Sequence, residues 1–514
     1  MSKKAASDLV TRHHTWLFQA TFPASRAEYD AAEAGLRGLA ADLAARPADD
    51  ALKDALENSG IAGTAVASTF TLAAVRWLCE RFGAAVQLAY LDADPSEIMA
   101  VLHPALDPME RDALADRPLP WRRWQRKHLG PDVDAHLRRL VALVSRLPGD
   151  GVVQEAAWAR LQVFVRWHMA ADAPGLTQGR FGRAAPFVHE AGFWRPADPS
   201  EVFALPRPRR VRLTPADRHH LVDLGRGVML SLLRETDFFT YADAQQIECF
   251  DLGRGMRVAL YASIGERKLT LESYIGYLLF KNGVPVAYGG SWILGAQAAF
   301  GVNVLPPYRG GESTLIVCQL LRLYAWRFGL QQVRVEASQI GRANHDGIQS
   351  GSFWFYWRLG FRPLQPELTA LAEADWARIM AESQGRPSTR HYRPQVLKRL
   401  ASAVLVWRTP APGTWRYVDP VRLGERVSAH VLERFDGDRD AAHRAACRAL
   451  GGRPGPALQR LALVLAALTP ADGWSADERR ALCAMGALKA GDEPAFNQAL
   501  RRHRRLVAAL QALG

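Results

Sequence analysis

Cysteine is scarce in this 514-residue chain, and the five present (Cys79, Cys249, Cys318, Cys447 and Cys483) are odd in number and scattered. None forms a C-x-x-C pair, which excludes a dense disulfide framework. Three of the five lie in apolar helical contexts, so the expectation is buried free thiols in a reducing compartment, that is, a cytoplasmic protein. The 14 histidines include no H-E-x-x-H and no Cys/His set at zinc spacing, so no metal is expected. No serine sits in G-x-S-x-G, and Gly253-Arg254-Gly255 lacks the rest of a dinucleotide fingerprint and reads as a turn. Long hydrophobic runs are missing too. Stretches such as Leu461 to Leu468 fall far short of the roughly 20 residues a membrane span requires. Lys3 and Lys4 lead into Ser7, Asp8, Arg12 and two histidines rather than an apolar segment, so no secretory signal is expected.

What is present is ordinary globular material, with 48% apolar and 23% charged residues. The length exceeds one core and implies two to four domains. The net charge of +13 admits two readings, attraction of an anionic ligand or nucleic acid, or simply arginine used throughout. The arginines are spread along the chain, which favours the second. Only Trp121 to Lys127 and Arg501 to Arg505 form clusters, both in helical contexts that read as solvated faces.

Three regions are expected. Residues 1–205 read as helical, with helices from Ser25 to Ala45, Thr69 to Phe82, Asp132 to Leu147 and Glu155 to Met169. A Pro- and Arg-rich stretch, Trp194 to Arg212, closes that region. Residues 206–370 read as α/β. Thr214-Pro215 opens a helix, strands follow at Gln246 to Phe250 and Met256 to Ala262, and Leu269 to Phe280 meets Val284 to Leu294 at a Lys281-Asn282-Gly283 hairpin. Residues 371–514 read as helical, including Pro394 to Val406 and a bundle from Val421 to Leu510.

The organising stretch runs from Ala298 to Leu364. An apolar strand from Ala298 to Leu305 meets Pro306-Pro307, then Gly310-Gly311, then Ser313 as the expected helix N-cap. Gly329 stops the helix, and a second strand spans Gln332 to Ala337. This βαβ unit aims helix N–H groups at whatever sits above its glycine loop.

Those residues resemble the donor-binding core of the GNAT superfamily of N-acetyltransferases, whose motif runs strand, V-x-P-x-x-R-G-x-G-x-G/A, helix, strand, Asn, Tyr, G-F. The matching positions are Val304, Pro306, Tyr308, Arg309 and Gly310, then Asn344, Tyr356 and Leu359-Gly360-Phe361. The resemblance covers roughly Asp217 to Leu364 and implies a fold of class α/β, a central GNAT-like mixed sheet flanked by all-helical N- and C-terminal regions. It implies that the Tyr308 to Thr314 loop holds the pyrophosphate of acetyl-CoA or another acyl-CoA as substrate. Backbone groups at Val302 to Val304 would polarise the thioester carbonyl, Asn344 would touch the donor, and Tyr356 would protonate the leaving thiolate.

Two departures stand out. The family's second glycine falls on Glu312 and its last small residue on Thr314; with a loop one residue shorter, Gly311 and Ser313 fill those places. A carboxylate suits a helix N-terminus yet repels a pyrophosphate. The Asn–Tyr interval is also about a helical turn longer than the family's, and Tyr356 stands among Phe353, Trp354, Phe355 and Trp357, as an aromatic core residue would. For a general base, Glu336 and Glu272 compete. The functional expectation is acyl transfer from acyl-CoA to a small-molecule or peptide amine. The alternatives are a non-catalytic scaffold on the same fold, transfer from another donor such as aminoacyl-tRNA, and nucleic-acid binding.

Overall fold

The structure, a computed structural model, describes all residues except 1, 48–49, 118, 183–184, 197, 410–412, 452–455, 469–473 and 514. It is mixed α/β with two sheets. The first is small: β1 (Ala65–Thr69), β2 (Val86–Leu91) and β3 (Val163–His168), with β3 in the middle and both pairings antiparallel. It corrects the all-helical expectation for residues 1–205. The helix expected from Glu155 to Met169 ends at Leu161, and Gln162 takes a left-handed conformation that turns the chain into β3. Val163, Val165 and Trp167 then bury one face of the strand. Likewise, Ala65–Thr69 is strand, and the helix expected from Thr69 begins at Leu72, capped by Thr71. This lobe has its own core around Trp124, Trp158 and Trp167.

The large sheet runs β4 (Arg209–Val211), β5 (Glu248–Gly253), β6 (Met256–Ala262), β7 (Ser273–Lys281), β8 (Val284–Leu294), β9 (Gln297–Phe300) with its continuation β10 (Asn303–Val304), then β11 (Gln332–Val335), β12 (Arg362–Pro363) and β13 (Leu405–Arg408). Spatially, β9 is flanked by β8 and β11, and β13 lies between β11 and β12. From β4 to β9 all pairings are antiparallel, whereas β11 runs parallel to β9. Strand β13 corrects the helix expected from Pro394 to Val406: the helix ends at Leu400, and the sheet draws on chain beyond residue 370. Leu405 and Val406 are buried against β11, so tertiary pairing outweighs local helix propensity there.

Local signals explain most of the frame. Asn282 (φ 51°) and Gly283 (φ 81°) both take positive φ, as a two-residue hairpin turn demands, and they join β7 to β8. Thr214 and Asp217 form a capping box on the helix Pro215–Ser231, which packs above the sheet. The helix Ser313–Phe328 covers the opposite face, where Tyr324 meets Tyr277 and Phe300 at ring-centroid distances of 6.1 and 5.8 Å. Gly329 ends it in the left-handed region. The C-terminal helices from Pro420–Phe435 to Arg504–Gln511 gather around a separate core that includes Leu294 of β8. No helix among the described residues is long and apolar enough to cross a membrane. All five cysteines are free thiols.

Candidate functional site

A parting of two strands creates the site. β9 and β11 pair only at Gln297–Ala299 with Gln332–Arg334, and beyond Ala299 they separate. β10 stays on β8 in unchanged register, and the Gly301 amide still donates to the Gly290 carbonyl (2.9 Å) where Gly301 and Val302 run opposite Gly290 and Gly289. Those two glycines are required by space. A Cβ on Gly289 would stand 2.2 Å from the Gly301 carbonyl oxygen, and one on Gly290 would stand 2.9 Å from the Tyr274 ring. The slot opens into a cleft of about 610 Å³.

The cleft passes from one face of the sheet to the other. Arg309, Ser313 and Val317 line it on the face covered by the helix Ser313–Phe328. Tyr274 and Trp292 line it as well, and because side chains alternate along β7, Tyr274 faces away from Tyr277 and that helix. Between them lie Gly301 to Val304, Gln339, Asn344 and Tyr356. The carboxamide of Gln339 spans the slot, donating to the Phe300 carbonyl (3.0 Å) and accepting from the Tyr356 hydroxyl (3.4 Å).

At one mouth stands an uncapped helix end. The N-cap is Glu312 rather than Ser313, and its side chain makes no cap bond. The first backbone bond into the helix is from Ile316 to the Glu312 carbonyl, so the amides of Ser313, Thr314 and Leu315 precede the ladder. A 16-residue helix presents partial positive charge there, beside Arg309, whose Nε donates to the Val304 carbonyl at 3.2 Å.

Glu312 does not enter the cleft. Its fully buried carboxylate accepts from Lys281 (2.8 Å), Arg254 (2.6 Å) and the Trp194 amide (2.9 Å), and His189 lies 3.8 Å away. Burial pushes this carboxyl up, and the Lys281 charge with the hydrogen bonds from Lys281, Trp194 and Arg254 outweighs it, leaving the group below the ordinary range. Burial likewise drives the Lys281 ammonium down to about 8 despite Glu312. The repulsion between Glu312 and a bound pyrophosphate therefore does not arise in the simple form the sequence suggests. Its charge is spent within the protein.

Of the residues singled out from sequence, Val302, Val304, Arg309, Ser313, Asn344 and Tyr356 line the cleft. Gly310, Gly311, Thr314 and Glu336 do not. Gly310 is exposed, with its carbonyl taken by Arg195 at 3.0 Å. Gly311 is buried because a Cβ there would meet the Phe22 ring at 2.4 Å, and its amide donates to the Tyr308 carbonyl. Glu336 lies one residue past the end of β11, exposed to solvent. Its rival Glu272 is half-buried, outside the cleft, with its backbone carbonyl held by Lys489. Asn344 caps the helix His345–Ser350: its Oδ1 accepts from Gly347 and its Nδ2 donates to Ser338. Burial pushes the Tyr356 phenol well above its ordinary value, which makes it a poorer proton donor than an exposed tyrosine.

Sequence reasoning missed Arg234, Thr236, Tyr288, Trp292, Gln339 and Asp346, all on the cleft wall. The Gly289-Gly290 pair inside a strand was the available signal, since paired glycines there mark close backbone approach. Asp346 is the one carboxylate-bearing side chain among the described lining residues. No group of three or more His, Cys, Asp or Glu among the described residues could hold a metal ion. Searches against protein-family models, curated proteins and solved structures returned no match for this chain.

Proposed function

We propose that the chain is an N-acyltransferase that takes an acyl group from an acyl-CoA thioester and delivers it to an amine. One observation carries the reading: a cleft through the sheet at the parted β9/β11 pair, with an uncapped helix N-terminus and Arg309 at its mouth. The pyrophosphate lies at the helix end on the Ser313 amide with Arg309 as counter-charge. The pantetheine arm threads the slot beside Val302 and Val304, which places the thioester near Tyr356. The amine nitrogen, having lost its proton to water or to Asp346, attacks the thioester carbonyl. The tetrahedral intermediate collapses with cleavage of the C–S bond, the nitrogen gives up its second proton as the amide forms, and the thiolate takes up that proton. With its raised pKa, Tyr356 serves by donating a hydrogen bond to the departing sulfur rather than by ionising.

Calorimetric titration with acetyl-CoA and longer acyl-CoAs tests this reading. Wild-type protein is expected to bind, with Arg309→Ala weakening binding by about 10-fold or more. Absence of heat at millimolar acyl-CoA overturns it. That Asp346, the one carboxylate among the described lining residues, is exposed supports a second reading, a binding protein without turnover. That reading predicts acyl-CoA binding with no free thiol released in the presence of any amine.

A further inference from the structure

The helix Pro215–Ser231 ends in a motif built to hold one side chain in place. Leu233 donates to the Leu230 carbonyl and Arg234 to the Met229 carbonyl (2.8 Å), the paired bonds of a Schellman cap. The residue in the left-handed position is Leu233 (φ 55°), where glycine is usual. The next residue, Arg234, is half-buried and lines the cleft on the face away from the helix Ser313–Phe328. Its guanidinium has one partner among the described residues, the Tyr288 hydroxyl at 3.4 Å, and no carboxylate pairs with it. On the wall of the same cleft, Tyr274 and Trp292 stack at 4.4 Å with an interplanar angle of 15°, and Trp292 keeps 40% of its surface exposed. A half-buried arginine without a counter-charge, facing a cavity next to a ring platform, is chemistry for a ligand carboxylate with an apolar side chain.

We infer that this end of the cleft selects an acceptor that is an aromatic α-amino acid, with its carboxylate on Arg234 and its ring against the Tyr274–Trp292 pair. The inference rests on the acyltransfer reading for what happens next, but acceptor binding is separable from it. An ammonium alone would be repelled by Arg234, whereas the zwitterion brings an anion to the guanidinium and leaves its nitrogen free to point toward the slot.

The test is calorimetry of the full chain, without donor, using L-phenylalanine and phenethylamine, which differ by the carboxylate. L-phenylalanine should bind about 10- to 100-fold more tightly. Arg234→Gln should abolish that difference, and Arg234→Lys should restore part of it, with thermal unfolding checking that each variant is folded. Should Arg234→Gln fail to fold, the wild-type pair and Arg234→Lys decide. Equal affinities, no binding of either compound, or indifference to Arg234→Gln would overturn the inference. Acetyl-CoA is titrated separately. Donor binding without amino-acid discrimination removes this inference alone, and discrimination without donor binding removes the acyl-CoA reading alone.

Discussion

The two ends of strand β7 are fastened in different ways. At its C-terminal end Lys281 meets Glu312, and both side chains are fully buried. At its N-terminal end Ser273 donates to Glu493 at 2.5 Å, and Glu493 also holds Lys489 (2.7 Å) and faces Lys268 (3.8 Å). Each fastening is a buried carboxylate between two cations, and each ties a flank to the central sheet. The first reaches Trp194 and His189 of the N-terminal region, and the second belongs to the C-terminal helices. They differ in what remains if the carboxylate is lost. Lys489 also donates to the Glu272 carbonyl (2.6 Å), and Lys268 donates to Gln246 (2.8 Å). Lys281 keeps the Arg254 carbonyl (2.7 Å), but among the described residues the Arg254 guanidinium keeps only the rings of Phe187 and Trp194. A buried ion pair is thus a local solution whose cost depends on the neighbours that would inherit its charge.

Breaking the first fastening should have the largest effect. Glu312→Gln is expected to destabilise by about 3–5 kcal/mol, because Lys281 and Arg254 are left without a counter-charge; urea unfolding measures it. Glu493→Gln should cost less, about 2–3 kcal/mol, since each lysine retains an oxygen acceptor. Equal losses would erase the distinction. Acid sharpens the comparison differently. His13 is buried, shares a hydrogen bond between its Nε2 and the Thr177 hydroxyl (3.0 Å), and is held down to about 3 mainly by burial. Its folded pKa lies below the unfolded value of about 6.5, so the unfolded chain binds more protons as pH falls from about 6.5 toward 3. The stability this group contributes is complete above that window and is lost across it, by a few kcal/mol in total. Hydrogen exchange should show the first helix, Ser2–Thr21, losing protection in that window ahead of the C-terminal helices, and His13→Gln should flatten the dependence.

The smallest expected effect is a control that touches neither fastening. Leu233→Gly relieves a left-handed non-glycine residue that is 43% exposed, and should raise stability by about 0.5–1 kcal/mol in thermal unfolding.

Local chemistry was legible in the sequence. The Asn282-Gly283 turn, the Ser25 and Thr214 caps and the Gly329 stop all stand where their residue types require. What escaped was settled by partners distant in sequence. Val163, Val165 and Trp167 read as the tail of a helix because three residues of alternation are too few to outweigh the helical run before them. Leu405 and Val406 read the same way until β11 claimed them as neighbours. Glu312 looked like an obstacle to phosphate because its partner Lys281 lies 31 positions away. On the cleft, Arg309, Ser313, Asn344 and Tyr356 announced themselves by motif. Arg234 and Trp292 had none, and only the fold brings them to the wall.

The placement of β13 between β11 and β12 has a consequence for biosynthesis. The strand that completes this edge is made last, after residue 404, so a nascent chain arrested earlier leaves β11 and β12 with open hydrogen-bonding edges. The ribosome must release about four-fifths of the polypeptide before β11 gains its second neighbour in the sheet. Premature termination in that interval should yield chains prone to sticking edge to edge, while the small amino-terminal sheet has all three of its strands paired by residue 168.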